Sequence, residues 1–234
     1  MIASMKFAEW EPVYEAILSD FGYPREDDER ARDRLAELLA ESTYNPHTLD
    51  LSGTVAVAGA ADCLREELDL VRDADSVVAA STAAAVIQES GLEVDCLVTD
   101  LDGSPELAPE LTASGVPVAV HAHGDNTHLL DRLVPTLRAE FVIPTTQAEP
   151  TEAVHNFGGF TDGDRAAFLA DACGAETLCF PGWEFDDPTV SDAKAQKLAW
   201  AERLLYWLET RRGERFSVLD GRRDGLSLPT TDRR

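Results

Sequence analysis

Lysine is almost missing from this chain. Of 234 residues only three are lysines, Lys6, Lys194 and Lys197, and arginine supplies the rest of 20 basic residues set against 44 acidic ones, for a formal net charge of −24. A surface that negative lacks the basic footprint on which a phosphate backbone or an anionic lipid docks, so nucleic acid and membrane partners are not expected. It suits concentrated salt, where charges are screened within a few ångströms and self-repulsion no longer opposes the compact state. The composition therefore points to a halophilic, cytoplasmic protein. Long apolar runs are missing too. None reaches the ~18 residues of a membrane span, and the acid-bearing, amphipathic first twenty residues do not resemble an export signal. Cysteine is scarce and wrongly spaced for chemistry: Cys63, Cys96, Cys173 and Cys179 form no C-x-x-C pair, and each sits in an apolar stretch, as buried free thiols do. Neither G-x-G-x-x-G nor G-x-x-x-x-G-K-[ST] occurs.

What is present is a globular composition, 44% hydrophobic and 27% charged, long enough for one or two domains. The first fifty residues have helical spacing, with Trp10, Val13, Ile17, Leu18 and Phe21 on one face, and Leu35, Leu38 and Leu39 within 30–40 behind the acidic run 26–29. From Thr54 the rhythm changes to short apolar runs at 54–58, 76–80, 95–99, 116–121, 140–144 and 176–180. Helix-like stretches at 62–71, 82–90, 127–138 and 164–173 separate them. Continuous rather than alternating apolar strands, interleaved with helices, predict a mainly parallel α/β sheet of Rossmann-like type covered on both faces. A long helix is expected over 191–210, a last strand over 215–219 and a loose tail from 224. The expected organisation is an N-terminal helical segment (1–50), an α/β core including the C-terminal helix (51–220) and a tail (221–234).

In open parallel sheets ligands sit at the carboxyl ends of the strands, so those ends carry the candidate residues. Gly59 follows the first run and could bring backbone N–H groups to a phosphate. Asp100 and Asp102 follow the third, and a pair of carboxylates just past a buried strand can hold a hard cation such as Mg²⁺. The glycine at 103 is wrongly spaced for a calcium-binding EF-hand loop. His121, His123, Asp125 and Asn126 crowd the end of the fourth run, with three of the five histidines inside 121–128. After the fifth run come Thr145, Thr146 and Gln147, and then Asn156, Phe157, paired glycines, Asp162, Asp164 and Arg165. Thr161 and Asp164 have capping-box spacing, and the neighbouring Phe, Asn and Arg side chains could also cradle a flat ring and a phosphate. Lys194 and Lys197, one helical turn apart where lysine is otherwise rare, are candidates for phosphate contact.

The strings Val98-Thr99-Asp100-Leu101-Asp102-Gly103, His121-Ala122-His123-Gly124-Asp125-Asn126, Thr145-Thr146-Gln147 and Asn156 through Ala166, in that order, resemble the archaeal 6-hydroxymethyl-7,8-dihydropterin pyrophosphokinase family. The likeness covers nearly the whole chain. It implies a thiamin pyrophosphokinase-like fold and Mg²⁺-dependent transfer of pyrophosphate from ATP to the pterin hydroxymethyl group, releasing AMP. It further implies Asp100, Asp102 and Asp125 at the metal and His121 and His123 beside them in catalysis. Gly59, Thr145, Thr146, Gln147, Arg165 and Lys194 would then face ATP, and Asn126, Asn156, Phe157, Asp162 and Asp164 the pterin. The chain departs from the family pattern at Gly59-Ala60-Ala61-Asp62-Cys63-Leu64, where Gly-x-Gly-Pro-Ser-Leu is usual, and at Ala80-Ser81-Thr82-Ala83, where Ala-Asp-Gly-Ala is usual. A zinc hydrolase built on His121-x-His123-x-Asp125 is an alternative, although Asn126 stands where that motif needs a histidine. A non-catalytic nucleotide-binding module is another. Small-molecule partners are expected, and a homo-oligomer is left open.

Overall fold

Valine and alanine dominate the short apolar runs, and such side chains fit a sheet buried on both faces. In the computed structural model, which describes residues 5–39 and 43–228, these runs form six strands: β1 (Thr54–Ala58), β2 (Ser76–Ala80), β3 (Cys96–Thr99), β4 (Val118–Ala122), β5 (Val142–Thr146) and β6 (Thr177–Cys179). All pair in parallel in the order β5-β4-β3-β2-β1-β6. The chain steps outward from β1 to β5 and then returns to lay β6 against the free side of β1. At such a reversal the loops on the two sides diverge and open a crevice beyond the carboxyl ends.

Eight α-helices among the described residues cover the sheet: α1 (Phe7–Phe21), α2 (Arg25–Leu38), α3 (Leu68–Arg72), α4 (Ala83–Glu89), α5 (Leu107–Ala113), α6 (Thr127–Leu133), α7 (Asp162–Ala172) and α8 (Asp192–Arg212). The period-two rule of a strand divides the core. Val55 and Val57 face one layer with Trp10, Ile17, Phe168, Leu204 and Leu208 of α1, α7 and α8. Ala56 and Ala58 face the other, with Leu35, Val71, Ile87, Leu111 and Leu130 of α2 to α6. The two helices of the first fifty residues thus lie on opposite faces of the sheet. No helix among the described residues is long and apolar enough to cross a membrane.

Several elements differ from the sequence expectation. The stretch 62–71 divides into a 3₁₀ turn (Asp62–Arg65) and the short α3, and α5 lies between β3 and β4 where no helix was expected. The helix expected over 127–138 ends at Leu133 and tightens into a 3₁₀ turn containing Pro135. The fifth strand runs on to Thr146, with Pro144 inside it, which an edge strand tolerates. The strand expected over 215–219 is instead a 3₁₀ turn, Ser217–Leu219. Phe216 and Leu219, three residues apart, both point into the core. The Phe216 N–H donates to Glu209 Oε2 (2.6 Å) and its carbonyl accepts from Arg223 Nη2 (2.7 Å), so side chains replace a sheet partner. Ala40, at the end of the second expected helix, and the tail from 229 lie outside the described residues. Up to 228 the tail holds a further 3₁₀ turn, Arg223–Gly225, and Leu226 packs on the core. The four cysteines are free thiols; Cys96 is buried and the other three partly so.

Candidate active site

All six strand ends open into one cleft of about 570 Å³, walled by Gly59 to Ala61 after β1, Ser81 and Thr82 after β2, Asp100, Asp102 and Gly103 after β3, His123 to Asp125 after β4, Gln147 after β5 and Gly182 to Glu184 after β6. The N-terminus of α7 and the first turns of α8 close it, with Asp162 and Arg165 from one and Lys194 and Lys197 from the other. The loops are held tightly. Gly59 and Gly182 approach so closely that a Cβ on Gly59 would lie 2.3 Å from the Gly182 carbonyl oxygen. The β3 loop turns at Leu101, which has φ +72°, a conformation that costs an L-residue roughly 1–2 kcal/mol. Its buried side chain and the bond from its N–H to Thr99 Oγ1 (2.9 Å) hold that turn. Asp100 and Asp102 thereby both face the cleft.

Asp100 has a donor on each oxygen. Oδ1 accepts the Asp102 N–H (3.2 Å), and Oδ2 lies 3.2 Å from His123 Nε2. Burial opposes its charge, but His123, the Arg165 guanidinium and Asp102 outweigh burial and hold it well below the usual carboxylate range. Burial and its neighbour Asp100 push Asp102 the other way. Burial, and after it the charge of Asp100, pushes Asp162 up to about 8 even though Arg165 Nη1 stands 3.1 Å from its Oδ1. Three carboxyl groups that cannot comfortably ionise together are a fit setting for a hard cation. Among the described residues no three His, Cys, Asp or Glu side chains converge into a ready-made metal shell. Asp100 and Asp102 therefore offer a pair of oxygen ligands, which suits Mg²⁺ because it keeps waters and shares phosphate oxygens. Asp125 stands exposed on the rim, outside any such cluster.

Arg165 is the buried cation of the cleft, 7% exposed. Its fork is set on one side by Asp162 and on the other by Gln147 Oε1, 3.2 Å from Nη2. Flat apolar surface comes from Tyr23, Phe160 and Trp183, with Val190 and Leu198 beside them. Phe21 bridges Tyr23 and Phe160, with ring centroids 5.3 and 5.1 Å away, and the Trp183 indole N–H donates to the Val57 carbonyl (2.8 Å).

A family model described as 6-hydroxymethylpterin diphosphokinase MptE-like matches residues 30–189. The chain belongs to this family. Two relatives bearing the name 6-hydroxymethyl-7,8-dihydropterin pyrophosphokinase, from Pyrococcus furiosus and Methanothermobacter thermautotrophicus, are each 37% identical to it, over 223 and 224 residues. Each alignment covers 88% of this chain, with 95% and 96% of the respective relative. A third of the same name, from Methanocaldococcus jannaschii, is 28% identical over 232 residues, covering 88% of this chain and 96% of its own.

In this family member the cleft gathers Gly59, Asp100, Asp102, His123, Asp125, Gln147, Asp162, Arg165, Lys194 and Lys197 from the residues singled out in the sequence. Seven others lie behind it. His121 is buried, with Nδ1 3.1 Å from Thr145 Oγ1, and burial and the nearby Arg165 drive its pKa well below the usual imidazole range. It does not line the cleft, and its Nε2 is buried without a hydrogen-bond partner among the described residues. Thr145 and Thr146 belong to β5 and are buried, because the strand runs further than its apolar stretch suggests. Asn126 spends its amide on the carbonyls of Asp100 (2.9 Å) and His121 (2.7 Å), tying the third and fourth strand ends together. Asn156 donates to the carbonyls of Gln147 (2.9 Å) and Ala148 (2.7 Å) and accepts from the Gly158 N–H. Phe157 stacks on His155, 5.8 Å between centroids. Asp164, fully buried, serves the capping box of α7 and accepts from the Thr161 hydroxyl (2.6 Å). Asp27, Asp28 and Trp183 in the cleft wall were not singled out in the sequence, and Ser81 and Thr82, noted there as a departure from the family pattern, line it as well. The positive φ of Ser81 (50°) and the aromatic cluster around Trp183 have no local sequence signature.

Proposed function

We propose that this chain transfers the diphosphoryl group of ATP, with Mg²⁺, to the hydroxymethyl group of 6-hydroxymethyl-7,8-dihydropterin, releasing AMP. One observation carries the cation requirement. The cleft wall among the described residues holds eight acidic side chains, Asp27, Asp28, Asp100, Asp102, Asp125, Asp162, Glu184 and Asp187, against three basic ones, Arg165, Lys194 and Lys197. A polyphosphate entering alone would meet net repulsion, whereas one accompanied by a divalent ion reverses the local sign. The names of the relatives supply the acceptor, and the aromatic walls offer surface for two flat heterocycles.

Asp100 and Asp102 would hold the cation, which when bound neutralises phosphate charge and withdraws electrons from the reacting phosphorus. Arg165, Lys194 and Lys197 take phosphate oxygens that the metal leaves free and fix the chain of three phosphates in the cleft. The pterin alcohol oxygen forms its new bond to the β-phosphorus as the bond from that phosphorus to the α-phosphate oxygen breaks, and the hydroxyl proton must leave. Asp125, exposed on the rim next to His123, is the acceptor for that proton. Catalysis of this kind is chiefly positioning and charge neutralisation. The test is incubation with ATP, Mg²⁺ and the reduced pterin alcohol in molar KCl, with AMP measured. AMP is expected only when the pterin is present; AMP formed equally without it, or none at all, would refute the assignment.

A further inference from the structure

Asp28 lies on α2, outside the sequence of every strand-end motif, yet it is only 4% exposed and holds three donors at 2.8 Å. Oδ1 accepts the Gly124 N–H, from the loop that carries His123 and Asp125. Oδ2 accepts both the Tyr14 hydroxyl and the Gln147 side-chain N–H. Gln147 in turn accepts from Arg165 Nη2 through its own oxygen. The directions of these bonds are not free choices. An ionised carboxylate only accepts and a guanidinium only donates, so the amide between them must give its NH₂ to Asp28 and its oxygen to Arg165. Backbone contacts hold Gln147 in place: its carbonyl receives the Trp10 indole N–H (2.8 Å) and the Asn156 amide (2.9 Å). Gln147 is 3% exposed, so water cannot easily correct a wrong orientation.

We infer that Asp28 is a positioning residue, which by accepting from Gln147 fixes the polarity of that amide and so keeps the Arg165 fork aimed at the phosphates. The inference rests on the proposed role of Arg165 in binding ATP. An asparagine at 28 must keep its oxygen towards the Gly124 N–H, which turns its NH₂ towards Gln147. Gln147 then either faces that group donor to donor or flips and presents its own NH₂ to Arg165. A glutamate at 147 accepts on both sides and cures the conflict, whereas beside the native Asp28 it sets two carboxylates together.

The experiment is the cycle Asp28→Asn, Gln147→Glu and the double variant, read by steady-state kinetics and by thermal melting of the full chain. Each single substitution is expected to raise KM for Mg-ATP about tenfold or more while KM for the pterin stays near wild type, and the double variant to recover most of that loss. The double variant should also melt above Asp28→Asn by more than Gln147→Glu changes the wild type. A double variant no better than the poorer single one in either measurement overturns the relay, even if Asp28→Asn alone fails to fold. The melting cycle needs no substrate. If the wild type proves to lack pyrophosphokinase activity, the functional assignment falls, and the relay stands or falls on whether the melting temperatures are non-additive.

Discussion

His123 Nε2 lies 3.2 Å from Asp100 Oδ2, while the backbone N–H of Asp125 points at its Nδ1 from 3.4 Å. The second contact needs a lone pair on Nδ1, so the imidazole N–H belongs on Nε2 and is directed at the carboxylate. His123 thereby orients Asp100 and favours its charged form.

Neutralising either carboxylate of the β3 loop should stop the reaction without unfolding the protein. Asp100→Asn and Asp102→Asn are each expected to lower kcat by about a hundredfold or more at saturating Mg²⁺, with melting temperatures close to wild type. Initial rates across an Mg²⁺ series check this, and near-normal turnover in both variants would exclude a metal role for the pair.

Asp162 makes a prediction with a definite sign. Its folded pKa, pushed to about 8, lies above that of an unfolded aspartate, so the folded chain binds the extra proton between the two values. Its contribution is therefore favourable at low pH and is lost as pH rises from the unfolded value towards 8. Asp162→Asn, which mimics the protonated form, should flatten the decline in melting temperature between pH 5 and 8. An identical pH slope in wild type and variant would mean that Asp162 is ionised throughout.

The close approach of Gly59 and Gly182 in the cleft wall predicts a steric cost. Gly59→Ala puts a methyl 2.3 Å from a backbone oxygen that no rotamer change can move, so the loops after β1 and β6 must part. A melting temperature several degrees lower is expected, in line with the ~1–3 kcal/mol of an overpacked site. By contrast, Gly91→Ala meets nothing within 4 Å, and its cost comes only from φ +75°.

Salt should act on the whole molecule. At a formal charge of −24, melting temperature and turnover are both expected to rise from dilute buffer to molar KCl. A melting temperature indifferent to KCl would refute the halophile interpretation and leave the pyrophosphokinase one untouched.

The parts of this molecule that were legible in the sequence are those whose cause is local. The β3 strand and its acids, the Thr161–Asp164 capping box and the paired lysines of α8 all declare themselves within a few residues. The different settings of His121 and His123 were not legible: two histidines one residue apart on a strand point the same way, yet β4 ends at Ala122, so His121 still belongs to the sheet and is buried while His123 sits in the loop. Asp28 was invisible for a different reason. In sequence it is one acid in a run of four at the start of a helix, and contact with Tyr14, with Gln147, 119 residues on, and with Gly124, 96 residues on, separates it from its solvated neighbours.

The scarcity of lysine has a practical side. Two of the three lysines of the chain, Lys194 and Lys197, line the cleft, and the third, Lys6, precedes α1. Amine-reactive chemistry, which on most proteins scatters over the surface, here has two of its three lysine targets at the mouth of the cleft. Under the proposed function, acylation of Lys194 and Lys197 followed by mass spectrometry would report nucleotide occupancy, and a support coupled through these two residues would attach at that same opening.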